Sequence, residues 1–123
     1  MAKQADGGEG DGDGAVRPGS VWVRTRDAGA RPPAADGEGF FVVTEVVEGV
    51  HRTRTYCHAK WLNGRGFDYQ AVADFVDACD PIGEVGDTAG MTHPEWIGAR
   101  GFQVRAAALA LALAWLDGDA GRR

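Results

Sequence analysis

The feature that most constrains the fold is an apolar run near the end of the chain, AAALALALAWL at positions 106 to 116. The run is too short to cross a membrane, which needs about 20 apolar residues. It predicts a helix from about Pro94 to Leu116, broken near Gly98 and Gly101 because each interior glycine costs about 1 kcal/mol relative to alanine. A helix that is apolar all round is buried all round, either in the chain's own core or in a partner's.

One face of this helix is a candidate surface for a partner. Alanines at every second position of the run let another helix approach closely, and two-fold dimers are the commonest oligomers. The alternative is that the helix is the central element of the chain's own core, and the sequence leaves both interpretations open. The side chains predicted to form the dimer or partner face are Val104, Ala108, Leu111 and Trp115.

The first half of the chain has the pattern of β-strands. Residues Val21 to Arg26 are β-branched, aromatic and alternating, and Phe40 to Val47 (FFVVTEVV) is the strongest strand signal. Arg52 to Trp61 alternates again after a turn, so the second and third segments are predicted to pair as an antiparallel hairpin.

The entry Arg17-Pro18-Gly19, a short strand and a hairpin rich in Val and Arg together resemble small SH3-like β-barrel modules. The resemblance covers about Val16 to Gly66. It implies an SH3-like fold for this part and carries over no site residue.

After the strands the apolar period becomes helical. Asp68 is predicted to cap a helix whose apolar side chains recur from Val72 to Cys79, and Pro81 is predicted to end it. Thr92 and Glu95 have the spacing of a capping box, which predicts the start of the final helix.

Together these patterns predict an α+β fold, with a small twisted antiparallel sheet of about three strands followed by two helices packed on one face. Residues 16 to 120 are predicted to form a single domain, the sheet in 16 to 66 and the helices in 67 to 120. Residues 1 to 15 alternate glycine with acidic side chains and contain little to bury, so we expect a disordered tail.

A basic strand face gives a second candidate site. Cations for phosphate and aromatic rings for stacking are what a sheet surface needs to hold a nucleic acid. The net charge of −5 and the pI near 5.0 argue against this reading, because a basic domain is the usual footprint. Nucleic-acid binding is therefore the alternative prediction, with Arg24, Arg26, Arg52, Arg54, Lys60 and Tyr56 as its candidate residues.

No catalytic constellation is recognisable in the sequence. Ser20 is the single serine, and the chain has no nucleophile-elbow, P-loop or dinucleotide-binding motif. Cys57, His58, Cys79 and His93 are zinc-binding residue types without the paired spacing that such sites use. We expect no metal, no cofactor and no catalytic residue, and rank an uncharacterised enzyme third among the possible functions.

The cellular context is predicted from the same composition. An N-terminus without an apolar segment favours the cytoplasm, where cysteines are normally free thiols. The bias toward Ala, Gly, Arg and Asp is typical of a high-GC bacterial genome. The sequence thus predicts a small, non-enzymatic interaction or accessory protein that binds a protein partner or itself, with no membrane and no identifiable small-molecule substrate.

Overall fold

The computed structural model describes residues 16–27, 29–48, 55–63, 67–86 and 88–121. The α+β class is confirmed, while the predicted acidic tail, 1 to 15, lies outside these residues. Within them the elements in chain order are β1 (Ser20–Arg24), β2 (Phe40–Glu48), β3 (Thr55–Trp61), β4 (Phe67–Ala71), α1 (Val72–Ala78), β5 (Cys79–Glu84), α2 (His93–Ile97) and α3 (Ala99–Gly121).

The strands form one antiparallel sheet in the order β4-β3-β2-β1-β5. Strand β2 is the central strand, because its first residues pair with β1 and almost its whole length pairs with β3. The predicted hairpin between β2 and β3 is confirmed. Two bulges bend the strands and increase their twist. Thr44 is the extra residue of β2 opposite β3, and Ile82 is the extra residue of β5 opposite Val21 and Trp22 of β1.

The prediction of about three strands is wrong, because the segment predicted to be helical contains β4 and β5. Asp68 lies within β4 rather than capping a helix, and α1 begins at Val72 with no side-chain cap from Ala71. Pro81 lies within β5, which tolerates it as an edge strand. Both added strands lie at sheet edges, where pairing with distant residues overrides the local pattern.

The helices cover both faces of the sheet, so the prediction that they pack on one face is also wrong. Strands β1 and β2 carry apolar side chains on both faces, and each face therefore needs a cover. Helix α1 covers a core that contains Trp22, Phe41, Val43, Cys57, Ala59 and Phe75. Helices α2 and α3 cover the other core, which contains Val21, Val23, Phe40, Val42, Met91, Trp96, Ala108 and Ala112.

Helices α2 and α3 meet at a tight corner. The predicted capping box is present, since the Glu95 amide donates to Thr92 Oγ1 at 3.3 Å and the Thr92 amide donates to Glu95 Oε1 at 2.9 Å. The predicted break near Gly98 is confirmed by the boundary between the helices, whereas Gly101 lies inside α3 and does not interrupt it. A Cβ atom on Gly101 would overlap the backbone carbonyl of Trp96, so the corner requires glycine at this position.

Candidate functional site

The inner side of α3 packs on the sheet of its own chain. Ala108 is fully buried, while Val104, Leu111 and Trp115 are partly buried against the second core. The Trp115 ring makes an edge contact with Phe40, with 6.0 Å between centroids. The structure therefore brings the four predicted partner-face residues together, but against the chain's own sheet. A partner would have to displace α3 to reach them.

The outer side of α3 is exposed, and its exposed positions between residues 101 and 116 carry no charge, although the half-buried Arg105 lies at their edge. A surface helix usually presents charged and polar side chains on its solvent side. Here Phe102 is 65% exposed and Leu113 is 45% exposed. The seven exposed positions in this stretch form the surface that we call the outer face: Phe102, Gln103, Ala106, Ala107, Ala110, Leu113 and Ala114. At 1.5 Å per residue this face runs for about 18 Å.

A groove runs beside the outer face. It has a volume of about 300 Å³ and is lined by Asp36, Leu62, Phe102, Arg105, Ala106 and Leu109. The Arg105 guanidinium lies over the Trp96 ring, 5.8 Å from its centroid, and Arg105 Nε donates to the Gly101 carbonyl at 3.3 Å. These contacts hold the cation at the rim of the groove, and the remaining lining is mostly apolar. The groove can therefore receive an apolar side chain from a docked partner.

The charges on α3 oppose the helix dipole. The first turn contains Arg100 and no acid, while the last turn contains no base and Asp117 lies one turn from the end. A helix dipole favours the reverse arrangement. Arg100 Nη1 lies 3.4 Å from Glu95 Oε2. Hydrogen bonds from the amide and hydroxyl of Thr92, followed by the nearby Arg100, hold the pKa of Glu95 below its usual value.

Arg24 is bound on the α1 side of the sheet. Its Nη2 atom lies 3.3 Å from Glu38 Oε2, and its guanidinium lies over the Phe41 ring, 5.6 Å from the centroid. Arg24 is therefore packed and charge-balanced within the chain.

Arg26 is held at the C-terminal end of α1. Its Nη1 atom lies 2.8 Å from Asp80 Oδ1. A cation at a helix C-terminus is favourable because the last carbonyls lack intrahelical partners. The guanidinium donates at 2.9 Å to the carbonyls of Val76, Asp77 and Cys79.

Of the remaining basic-face candidates, the two that the structure describes, Lys60 and Tyr56, do not join these arginines. Lys60 is only 1% exposed and lies on the opposite face of the sheet, paired with Val42. Burial lowers the pKa of Lys60, and Glu45 partly opposes that shift. Tyr56 stacks on Tyr69, with centroids 5.5 Å apart and planes 9° from parallel. Arg52 and Arg54 lie outside the described residues.

The cysteines are buried in the first core. Cys57 and Cys79 are free thiols, and burial raises the pKa of Cys79 to about 12. A thiol with that pKa stays protonated at neutral pH, whereas the thiolate is the reactive form. In the part of the chain that the structure describes, no group of three or more His, Cys, Asp or Glu residues is placed to hold a metal ion.

Comparison of the chain with protein families, with curated proteins and with solved structures finds no match. None of the helices in the described ranges combines the length and apolarity that a membrane crossing requires.

Sequence reasoning found the apolar character of α3 but favoured the side that faces the sheet. Two signals in the sequence indicate which side of α3 faces solvent and which faces the sheet. Gln103 is a polar residue at the start of the helix and lies on the exposed side, whereas Val104 and Trp115 share the side that lies against the sheet.

Proposed function

We propose that this chain is a small, non-enzymatic interaction protein that docks a protein partner on the outer face of α3. The observation that carries the proposal is that the seven exposed side chains between Phe102 and Ala114 are all uncharged and mostly apolar, while the cation Arg105 lies half-buried at their edge. Exposed apolar patches rimmed by polar residues mark interaction sites on small proteins. Phe102, Ala106, Ala110 and Leu113 follow the helical spacing that anchors one helix in the groove of another protein.

The two large side chains are the anchors of the proposed interface. Full burial of a Phe or Leu side chain stabilises by about 1.5–3 kcal/mol, so covering the exposed parts of Phe102 and Leu113 contributes about 2–3 kcal/mol together. Alanines between the anchors let the partner's backbone come close, which adds contact area at little cost in side-chain entropy. Association also loses rigid-body freedom, so this face fits a reversible interaction unless the groove adds contacts.

The charges favour a protein over a nucleic acid as the partner. The outer face itself has no cation, and the pI is near 5.0. Arg24 and Arg26 already bind carboxylates of their own chain, and Lys60 is buried. A nucleic-acid footprint needs accessible cations grouped on one surface.

We also propose that the sheet is a small SH3-like barrel and that the protein works in the cytoplasm. The order of the strands, which returns β5 to the side of β1, supports the barrel, as do the bulges on β2 and β5. Bulges are common where the strands of a barrel bend. The buried free thiols of Cys57 and Cys79 suit a reducing compartment.

Site-specific photo-crosslinking tests the docking proposal. Benzoylphenylalanine at Phe102 is a conservative change because the ring is already exposed. Irradiation in living cells is expected to join position 102 to a polypeptide that mass spectrometry identifies. The matched control carries the same group at Tyr69, an aromatic residue that is 54% exposed on β4. Equal crosslinking at the two positions, or none at 102, would overturn the proposal.

A further inference from the structure

We propose that the partner on the outer face is a second copy of this chain, with the two α3 helices packed antiparallel around a two-fold axis. This inference rests on the proposed function and specifies its partner. The axis passes at the height of residue 108, between Ala106 and Ala110. A two-fold interface is isologous, so the same patch on each copy must complement itself.

The side chains of the outer face complement one another in this register. Ala106 lies opposite the partner's Ala110, so the helices meet most closely where both are small. Phe102 lies opposite the partner's Ala114, and Leu113 opposite the partner's Gln103. Large side chains therefore face smaller or flexible ones along the whole contact, as close packing between helices requires. A parallel pair would instead set Phe102 against the partner's Phe102.

The charges on α3 also favour the antiparallel arrangement. In this register Asp117 lies opposite the partner's Ala99, next to the partner's Arg100. The acid that is unfavourable at the end of its own helix thus lies at the start of another helix, beside a cation. A parallel pair would bring Asp117 against the partner's Asp117, and like charges in contact oppose association.

The N-terminal residues of this chain do not have the composition to cover the face instead. Residues 1 to 15 read MAKQADGGEGDGDGA, in which Met1 is the single large apolar side chain. An acidic glycine-rich segment has little to bury against Phe102 and Leu113. A second copy supplies the same apolar side chains that the face presents, and the groove beside Ala106 gives them additional room.

Cysteine crosslinking of the full chain tests both the occupant and the register. Ala106→Cys and Ala110→Cys place thiols at exposed positions, while both native cysteines are buried. The mass in solution is measured by sedimentation velocity, and disulfide formation is followed after mild oxidation. We expect a dimer, and we expect an equimolar mixture of the two variants to form the mixed disulfide faster than either variant forms its own. Asp117→Arg is expected to weaken the dimer about tenfold, since an exposed ion pair contributes modestly and the interface contains two.

The outcomes distinguish a wrong register of the two helices from a wrong identity of the partner. A dimer in which Ala106→Cys crosslinks fastest to itself would overturn the antiparallel register. A monomer at all concentrations, without crosslinks, would overturn the second copy as the partner. In that case a crosslink from position 102 to a different polypeptide would still support docking on the outer face. Absence of that crosslink would overturn both the second copy and the docking function.

Discussion

Two buried threonines provide a matched pair whose substitutions should have opposite effects on stability. Thr88 and Thr44 are both fully buried. Thr88 Oγ1 donates to the Val43 carbonyl at 3.0 Å, which fixes the loop before α2 onto β2. Thr44 Oγ1 is buried and has no hydrogen-bond partner among the described residues. Replacing each by valine keeps the shape of the side chain and removes only the hydroxyl.

The expected changes in the free energy of unfolding follow from these contacts. Thr88→Val removes one hydrogen bond, but the Val43 carbonyl still accepts from the Gly19 amide at 2.8 Å. The expected loss is therefore about 1 kcal/mol, the net contribution of a typical hydrogen bond. Thr44→Val removes an unsatisfied hydroxyl, whose burial costs about 1–3 kcal/mol, so we expect a gain of about 1 kcal/mol or more.

Thermal unfolding followed by circular dichroism measures both changes. For a domain of this size 1 kcal/mol corresponds to about 5 °C in Tm, so the two variants should differ by about 10 °C. Thr55→Val, at an exposed position on β3, is the control and should lie within about 0.5 kcal/mol of the wild type. A Thr44→Val variant that is destabilised as much as Thr88→Val would refute the assignment of an unsatisfied buried hydroxyl.

Three further predictions concern the core and the helix corner. Ser20→Ala should lower the free energy of unfolding by about 2 kcal/mol in chemical denaturation. The reason is that Ser20 Oγ accepts from Trp22 Nε1 at 2.9 Å and donates to the Arg17 carbonyl at 2.6 Å. An unchanged stability would contradict this role of the hydroxyl. Gly101→Ala should lower Tm far more than Gly98→Ala, since only the first adds a Cβ that overlaps the Trp96 carbonyl, and equal effects would show that the corner relaxes. Burial raises the pKa of Cys79 from 9.0 to about 12. Between these values the thiol keeps its proton in the folded state and loses it in the unfolded chain. The free energy of unfolding should therefore fall as pH rises from about 9 toward 12. Cys79→Ala should flatten that dependence in denaturation curves measured across this range, and an unchanged slope would assign it to another group.

The elements that the sequence predicts well are those with a strong local signal. The eight residues FFVVTEVV and the capping box at Thr92 give β2 and the start of α2 where they are expected. Strands β4 and β5 are not visible locally, because a five-residue segment such as Phe67–Ala71 becomes a strand through its pairing with β3. The placement of helices on both faces follows from β1, whose residues Val21, Trp22 and Val23 are all buried.

The apolar character of the candidate site could be predicted from the sequence, but not which side of α3 is exposed. An eleven-residue apolar run indicates two-sided contact, yet the run itself has nearly the same apolarity on each side. Packing decides the question, since Trp115 fits against Phe40 and leaves Phe102 in solvent. The described arginines of the predicted basic face show a related effect, because Arg24 and Arg26 form ion pairs with Glu38 and Asp80, which are distant in the sequence.

The central claim, that protein covers the outer face of α3, is tested most directly by alkylation of a cysteine at Ala106 inside living cells. The native thiols are buried, so the added thiol dominates the reaction with a permeant maleimide. The account predicts that Ala106→Cys reacts several times more slowly in cells than as dilute purified protein. Ala73→Cys, on the exposed side of α1, should react equally in both. Equal reactivity of Ala106→Cys in cells and in dilute solution would contradict the account.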